Sequence, residues 1–111
     1  MSSRAAMIMV ALLLGPLAGC DYSDAPQGAP LRALAAQPED FQQALVATSG
    51  VVRGFDDPEH YWIEDDALNR VELMPLEEAR DYLGQRVQVV GTFHYEPGRG
   101  RWLEIRGLGP L

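Results

Sequence analysis

Residues 86–95 read RVQVVGTFHY and carry the clearest secondary-structure signal of the chain. The small or apolar residues that recur at every second position are Val87, Val89, Gly91, Phe93 and Tyr95. Successive side chains of a β-strand point to opposite faces of its sheet, so a period of two indicates a strand with one buried face. The stretch therefore predicts a strand whose alternate side chains enter a hydrophobic core.

The segments on either side of this strand predict four more strands and two short helices. Leucine spacing favours an N-terminal helix over 31–37. Pro75, two glutamates after it and a glycine at position 84 favour a second helix over 76–83. The other strands are predicted at 44–55 (bent or bulged at Gly50 or Gly54), 60–64, 70–74 and 101–108. The inward positions predict a core of Val46, Val52, Ile63, Val71, Leu73, Leu83, Val87, Val89, Phe93, Leu103 and Ile105.

Three strands, a helix and two strands follow one another in the order of the OB-fold, a five-stranded Greek-key barrel. Residues 46–52 (VATSGVV), 61–65 (YWIED) and 83–93 (LGQRVQVVGTF) also resemble the motifs of small bacterial OB-domain proteins, which are nucleic-acid-binding-like envelope proteins. The resemblance covers about residues 40–111. It implies a mostly β domain with a short helix between strands 3 and 4 and a short N-terminal helix. It says little about the ligand, because OB domains host many functions.

The N-terminal residues 1–19 predict a signal peptide. Arg4 precedes an apolar run from Ala5 to Leu14. At about 1.5 Å per residue, this run covers only about half of a ~30 Å hydrocarbon core, which is too short for a membrane-spanning helix.

The residues Leu17-Ala18-Gly19-Cys20 resemble the bacterial lipobox. In proteins with that motif the cysteine thiol receives a diacylglycerol, the chain is cut before the cysteine, and the new amino group is acylated. The resemblance implies a lipoprotein anchored through Cys20 in the cell envelope, facing the periplasm or the exterior. Asp21 resembles the signal that retains enteric lipoproteins in the inner membrane, which favours that membrane. An ordinary secreted protein with a cysteine near its cleavage site is the alternative.

Residues 20–30 begin with the cysteine that is expected to carry the lipid. They predict a flexible tether because they contain two prolines, a glycine and no apolar periodicity. The folded OB domain is accordingly predicted at 31–111.

The composition argues against several classes of function. The chain has nine basic and sixteen acidic residues and a net charge of −7, which makes nucleic acid an unlikely main partner because phosphate contacts supply most of that affinity. Its single cysteine excludes an intramolecular disulfide and a cysteine zinc cluster. There is no Ser/His/Asp triad, phosphate-binding loop or lysine, and His60 and His94 lack a metal-ligand spacing. We therefore expect no enzyme, no metal and no cofactor other than the covalent lipid.

Alternation within residues 60–64 points Trp62 away from the core, since Tyr61 and Ile63 are expected to face inward. The second and third strands of an OB domain and their loops form its usual ligand face. The predicted face comprises His60, Trp62, Glu64, Arg70 and Glu72, with an acidic rim at Asp56, Asp57 and Glu59. Alternatively, Trp62 packs under the N-terminal helix or a loop, and Trp102 on the last strand has the same ambiguity.

Two charged clusters have both a functional and an ordinary interpretation. Six carboxylates lie between Asp56 and Asp66, where they suit a basic partner or Ca²⁺, although turns favour aspartate and surface charge favours solubility. Arg99, Arg101 and Arg106 form a basic patch that suits anionic lipid headgroups or an oligonucleotide, although Glu96 and Glu104 lie among them and favour a self-neutralising surface.

The leading functional prediction is a lipid-anchored binding module that presents a β-face to an envelope protein, peptide or glycan. The alternatives are an oligonucleotide-binding OB protein and a structural accessory subunit of an envelope assembly.

Overall fold

The computed structural model describes residues 25–111. The predicted signal peptide, Cys20 and residues 21–24 lie outside the described residues. The described part is mostly β, as predicted, with six strands in one sheet and two short α-helices. The strands are β1 (Gln27–Gly28), β2 (Leu45–Asp56), β3 (Glu59–Glu64), β4 (Arg70–Met74), β5 (Arg86–Glu96) and β6 (Gly100–Pro110). The helices are α1 (Leu31–Ala36) and α2 (Leu76–Arg80), and a 3₁₀ turn covers Pro38–Phe41.

The strands are ordered β1-β2-β3-β4-β6-β5, and β5 pairs in addition with β2. The β1–β2 and β4–β6 pairs are parallel, and the other pairs are antiparallel. β2 changes partner at Val51, because it pairs with β5 before that residue and with β3 after it. Gly50 stands at this crossing, where an added Cβ would lie 2.6 Å from the carbonyl oxygen of Glu64. A glycine is therefore needed beside the point where β2 changes partner, and Gly50 is one of the two positions at which a bend or bulge is predicted from the sequence.

The inward positions of the strands were predicted correctly. The predicted core residues that are buried are Val46, Val52, Ile63, Val71, Leu73, Val87, Val89, Phe93, Leu103 and Ile105. They pack with Leu31 and Leu34 of α1 and with Tyr61 and Ala79 in one cluster. The core therefore consists of inward side chains of the strands together with a few residues of the two helices.

The prediction for Leu83 was wrong, since this side chain is 54% exposed. The helical period that grouped Leu83 with Leu76 and Ala79 stops early, because α2 ends at Arg80 and a turn follows. Tyr82 packs against the core instead. Gly84 has a φ of +84° and donates its N–H to the carbonyl of Val52 at 2.8 Å, which ties the turn to β2.

The domain begins earlier than predicted, since residues 27–30 had been assigned to the flexible tether. Gln27 and Gly28 pair with β2, and the N–H of Ala29 donates to the carbonyl of Ala47 at 3.0 Å. Ala29 is 4% exposed. A partner strand supplies the hydrogen bonds that a polar, proline-containing segment cannot make within itself, and sequence periodicity does not reveal such a partner. Within residues 25–111, no helix has the length and apolar character needed to cross a bilayer.

Candidate functional site

Four side chains form a row across the sheet on the face opposite the core. Trp62 pairs with Glu72, Glu72 with Trp102, and Trp102 with His94. Residues in register on neighbouring strands share a face, so these side chains lie side by side. We call this surface the tryptophan face; its members are His60, Trp62, Glu64, Arg70, Glu72, His94, Trp102 and Glu104.

Three polar neighbours hold the indole of Trp62. Its N–H donates to Oε1 of Glu64 at 3.0 Å. The guanidinium of Arg70 lies over the ring, 4.6 Å from the centroid, and the ring of His60 lies at 5.1 Å. A cation over an exposed indole contributes about 0.5–1 kcal/mol. Trp62 is therefore partly buried by charged and aromatic side chains on the outer face, in the orientation that alternation predicted.

The carboxylate of Glu64 contacts several side chains of this cluster, so few of its hydrogen-bond acceptor positions are free for a ligand. Besides the indole N–H, it accepts a hydrogen bond from Nη2 of Arg70 at 3.3 Å and lies 3.7 Å from Nε of Arg53. Its side chain is only 12% exposed. The charge of Glu64 is thus already satisfied within the protein by Trp62, Arg70 and Arg53.

Trp102 is also surrounded by a histidine, an arginine and a glutamate. His94 is stacked on it with ring centroids 5.0 Å apart and planes at 18°, and the guanidinium of Arg99 lies 3.7 Å from its centroid. Nε2 of His94 lies 3.2 Å from Oε1 of Glu104. The chain has two histidines and two tryptophans in all, and each histidine lies against one tryptophan.

A pocket of about 350 Å³ opens beside Trp62. Its lining residues are His60, Trp62, Arg70, Glu72, Tyr95, Gly100 and Arg101. Four of them belong to the predicted face. Sequence analysis missed Tyr95, Gly100 and Arg101 as site residues because the parallel β4–β6 pairing brings β6 to the pocket and the β5–β6 pairing adds Tyr95 beside Arg101. No local pattern marks the parallel pairing. Nδ1 of His60 lies 3.9 Å from Oε2 of Glu72, so these two lining residues lie side by side in the pocket wall.

Arg101, which the sequence places in a basic patch, lines this pocket instead. Its Nε donates to the carbonyl oxygen of Arg70 at 3.3 Å, and Nη1 donates to that of Ala35 at 3.3 Å. Arg99 lies over Trp102 instead, and Arg106 is exposed. The three arginines thus have separate surroundings rather than one common surface.

The predicted acidic rim does not line the pocket. Asp56 and Asp57 are exposed at the β2–β3 turn. The carboxylate of Glu59 accepts hydrogen bonds from the Tyr61 hydroxyl at 2.6 Å and from Nε of Arg80 at 2.7 Å. The Arg80 guanidinium, followed by the Tyr61 hydroxyl, lowers the pKa of Glu59, and the same carboxylate raises the pKa of Tyr61. Glu59 therefore fastens α2 to β3.

The acidic turn between β3 and β4 is also held together internally. Asp65 accepts hydrogen bonds from the backbone N–H groups of Ala67 and Asn69 at 2.9 and 3.0 Å. The side-chain amide of Asn69 is the main cause of the lowered pKa of Asp65. Among residues 25–111, no three histidine, cysteine or acidic side chains are grouped in a way that would hold a metal ion.

Neither the protein-family models nor the curated proteins compared with this chain give a match. What the tryptophan face can do follows from its own side chains. It offers guanidinium groups, an imidazole beside a carboxylate, and indoles whose rings lie under arginine. A ligand can be held there by charge and by contact with aromatic edges.

Proposed function

We propose that this chain is a lipid-anchored binding module of the bacterial cell envelope, which presents the tryptophan face to an envelope protein, peptide or glycan. Membrane attachment is supported by the lipobox-like residues Leu17–Cys20 and by the short apolar run before them. Two or three acyl chains would hold the protein stably at the membrane, since one chain alone is marginal. Asp21 favours the inner membrane.

The strand pairings support an OB-fold barrel as the scaffold. The order β2-β3-β4-β6-β5, together with the pairing of β5 back to β2, matches the strand order expected of a five-stranded OB barrel and supports this proposal. α2 falls between the third and fourth of these strands, and β1 adds a short parallel edge to β2. In this interpretation β3 and β4 are the second and third OB strands, which form the usual ligand face of that fold.

The observation that carries the binding proposal is the pocket that side chains of that face, Trp62 among them, form together with Arg101. Its volume of about 350 Å³ lies at the lower end of the roughly 300–1,000 Å³ typical of ligand sites. Its lining combines two aromatic residues with groups of both charge signs. Such a pocket suits one short segment of a larger partner.

The tether restricts where that partner can be. Residues 21–26 separate Cys20 from β1, and six extended residues span roughly 20 Å at most. A lipidated Cys20 would therefore keep the domain close to the bilayer surface. Partners in the membrane or next to it are favoured.

An oligonucleotide is a weaker candidate. The net charge of −7 opposes phosphate binding. Proteins that bind single strands stack bases on open aromatic rings, whereas Trp62 and Trp102 each carry a guanidinium over the ring. An accessory subunit would use the same face in a permanent contact, so a stoichiometric partner would identify that role.

Site-specific photo-crosslinking in native membranes tests the proposal. A photo-reactive amino acid replaces Glu72 in the pocket, and the matched control replaces Glu78, which is exposed on α2 and does not line this pocket. We expect a discrete crosslinked product from position 72 and none from position 78. Equal products at both positions, or none at position 72, would contradict a binding role for the tryptophan face.

A further inference from the structure

We infer that the pocket beside Trp62 binds a carboxylate group of a peptide and that Arg101 is the residue that receives it. This inference rests on the proposed binding function of the tryptophan face, and it adds the chemical class of the ligand.

Arg101 is the least exposed arginine in the part of the chain that the structure describes, since the other arginines there are exposed. Two backbone carbonyls, those of Arg70 and Ala35, fix its guanidinium. These contacts use two of its five N–H donors. Three donors remain on a planar group that is already held in place.

The charge of Arg101 lacks a partner within residues 25–111. Arg53, Arg70 and Arg80 each have a carboxylate oxygen within 4.0 Å, whereas no such contact is found for Arg101. Arg101 is partly shielded from water, and a shielded charge is stabilised by a partner of opposite sign. A guanidinium fork matches a carboxylate through two parallel hydrogen bonds. The pocket into which Arg101 opens is therefore complementary to a carboxylate.

The rest of the lining favours a peptide over a sugar or a nucleic acid. Arg70 already occupies a face of the Trp62 indole, so a pyranose or a base would have to displace it in order to stack there. Glu72 lines the same pocket and repels a polyanion. It can accept a hydrogen bond from a backbone N–H or pair with a cationic group. A peptide carries carboxylates, N–H donors and cationic groups together.

Nuclear magnetic resonance of the mature lipidated chain in detergent micelles, with ¹⁵N-labelled arginine, tests this inference directly. The probes are acetyl-Ala-Ala-Ala with a free C-terminal carboxylate, the same peptide as its C-terminal amide, and acetyl-Ala-Asp-Ala amide. We expect the Arg101 Nη signals, which carry the three free donors, to move with one or both carboxylate peptides and not with acetyl-Ala-Ala-Ala amide. A shift with acetyl-Ala-Ala-Ala alone would indicate recognition of a C-terminal carboxylate. A shift with acetyl-Ala-Asp-Ala amide alone would indicate recognition of a side-chain carboxylate.

Substitutions at two arginines of β6 provide the matched comparison. Arg101→Gln should weaken binding of the effective peptide at least about 10-fold, because hydrogen bonds between charged groups are lost. Arg106→Gln, an exposed change on the same strand, should leave the affinity unchanged. If Arg101→Gln fails to fold, the chemical-shift changes of Arg101 in the wild-type chain still test the inference.

Several outcomes would overturn the inference, and they separate it from the proposed function. Equal shifts with the carboxylate and amide peptides would mean that the pocket binds peptide without recognising a carboxylate. A shift with glucuronic acid alone would indicate a glycan ligand. No shift at Arg101 with any probe would also overturn the carboxylate assignment. In each case the crosslink at position 72 decides independently whether the tryptophan face is a binding surface.

Discussion

Trp62 and Trp102 lie in one row of the sheet with Glu72 between them. Glu72 pairs with Trp62 across the antiparallel β3–β4 contact and with Trp102 across the parallel β4–β6 contact. Each indole has a histidine at its side and a guanidinium over its ring. The central position of β4 thus brings two similar clusters from distant parts of the chain onto one face.

The first prediction tests the core and the register of β5. Val89 is fully buried, so we expect Val89→Asp in the mature chain to abolish the cooperative thermal transition. An unpaired buried charge costs more than the roughly 5–15 kcal/mol margin of a folded domain can readily absorb. Gln88→Asp, an exposed change on the same strand, should melt within a few degrees of the wild type. A cooperative melt of Val89→Asp near the wild-type temperature would place Val89 on the solvent side.

The second prediction concerns Gly91, where the pairing of β5 with β6 shifts register. A Cβ there would lie 2.6 Å from the carbonyl oxygen of Glu104, which is backbone and cannot rotate away. We expect Gly91→Ala to lower the free energy of unfolding by about 1–3 kcal/mol, the usual cost of overpacking. Gly107→Ala, where a Cβ would meet nothing within 4 Å, should change it by at most about 0.5 kcal/mol. Urea denaturation measures both free energies of unfolding. If Gly91→Ala and Gly107→Ala changed the free energy equally, the steric explanation would be wrong.

The third prediction concerns pH. The Arg80 guanidinium and then the Tyr61 hydroxyl lower the pKa of Glu59 below its ordinary value of 4.5. A carboxylate whose folded pKa is depressed contributes stability above its unfolded pKa and loses it as the pH falls through the folded pKa. We expect Glu59→Gln to melt below the wild type at pH 7, and the difference to shrink as the pH falls below 4.5. The same difference at pH 7 and at pH 3 would show that the ionised Glu59–Arg80 pair contributes nothing.

The fourth prediction concerns the anchor. Cys20→Ala removes the thiol that the lipobox-like motif assigns to the lipid. We expect the variant to leave the membrane fraction or to accumulate as an uncleaved precursor. Cell fractionation and the apparent mass of the protein measure both results. Normal processing and unchanged membrane association of the variant would rule out lipid attachment at Cys20.

Strand positions and their inward faces could be predicted from the sequence because alternation is a local property. This is why Val89, Phe93 and Ile63 were placed in the core and Trp62 on the other face. The short strand β1 escaped prediction because two residues show no period. Leu83 was misplaced because proline, glutamate and glycine signals indicate that a helix is present but fix its end only loosely.

Only part of the pocket lining could be predicted from the sequence. His60, Trp62, Arg70 and Glu72 come from two adjacent strands joined by a short turn, so their proximity follows from local order. Arg101 joins them through the parallel β4–β6 contact, which brings together residues far apart in the chain, and Tyr95 follows because it pairs with Arg101. The acidic rim was predicted from charge density alone. Charge density could not reveal that Glu59 is held by Tyr61 and Arg80.

Trp62→Ala, measured for stability and for binding on the same sample, tests most directly whether the tryptophan face is a binding surface. Because Trp62 is partly exposed and held by one hydrogen bond and one cation–π contact, we expect a loss of about 1–2 kcal/mol of unfolding free energy in urea. Binding of the partner crosslinked at position 72 should fall at least about 30-fold, as for an interface hot spot. The control Leu83→Ala, an exposed apolar change outside this face, should alter neither value. A loss of about 3–5 kcal/mol, as for a core tryptophan, with the partner still bound by the folded fraction, would contradict the proposed function of Trp62.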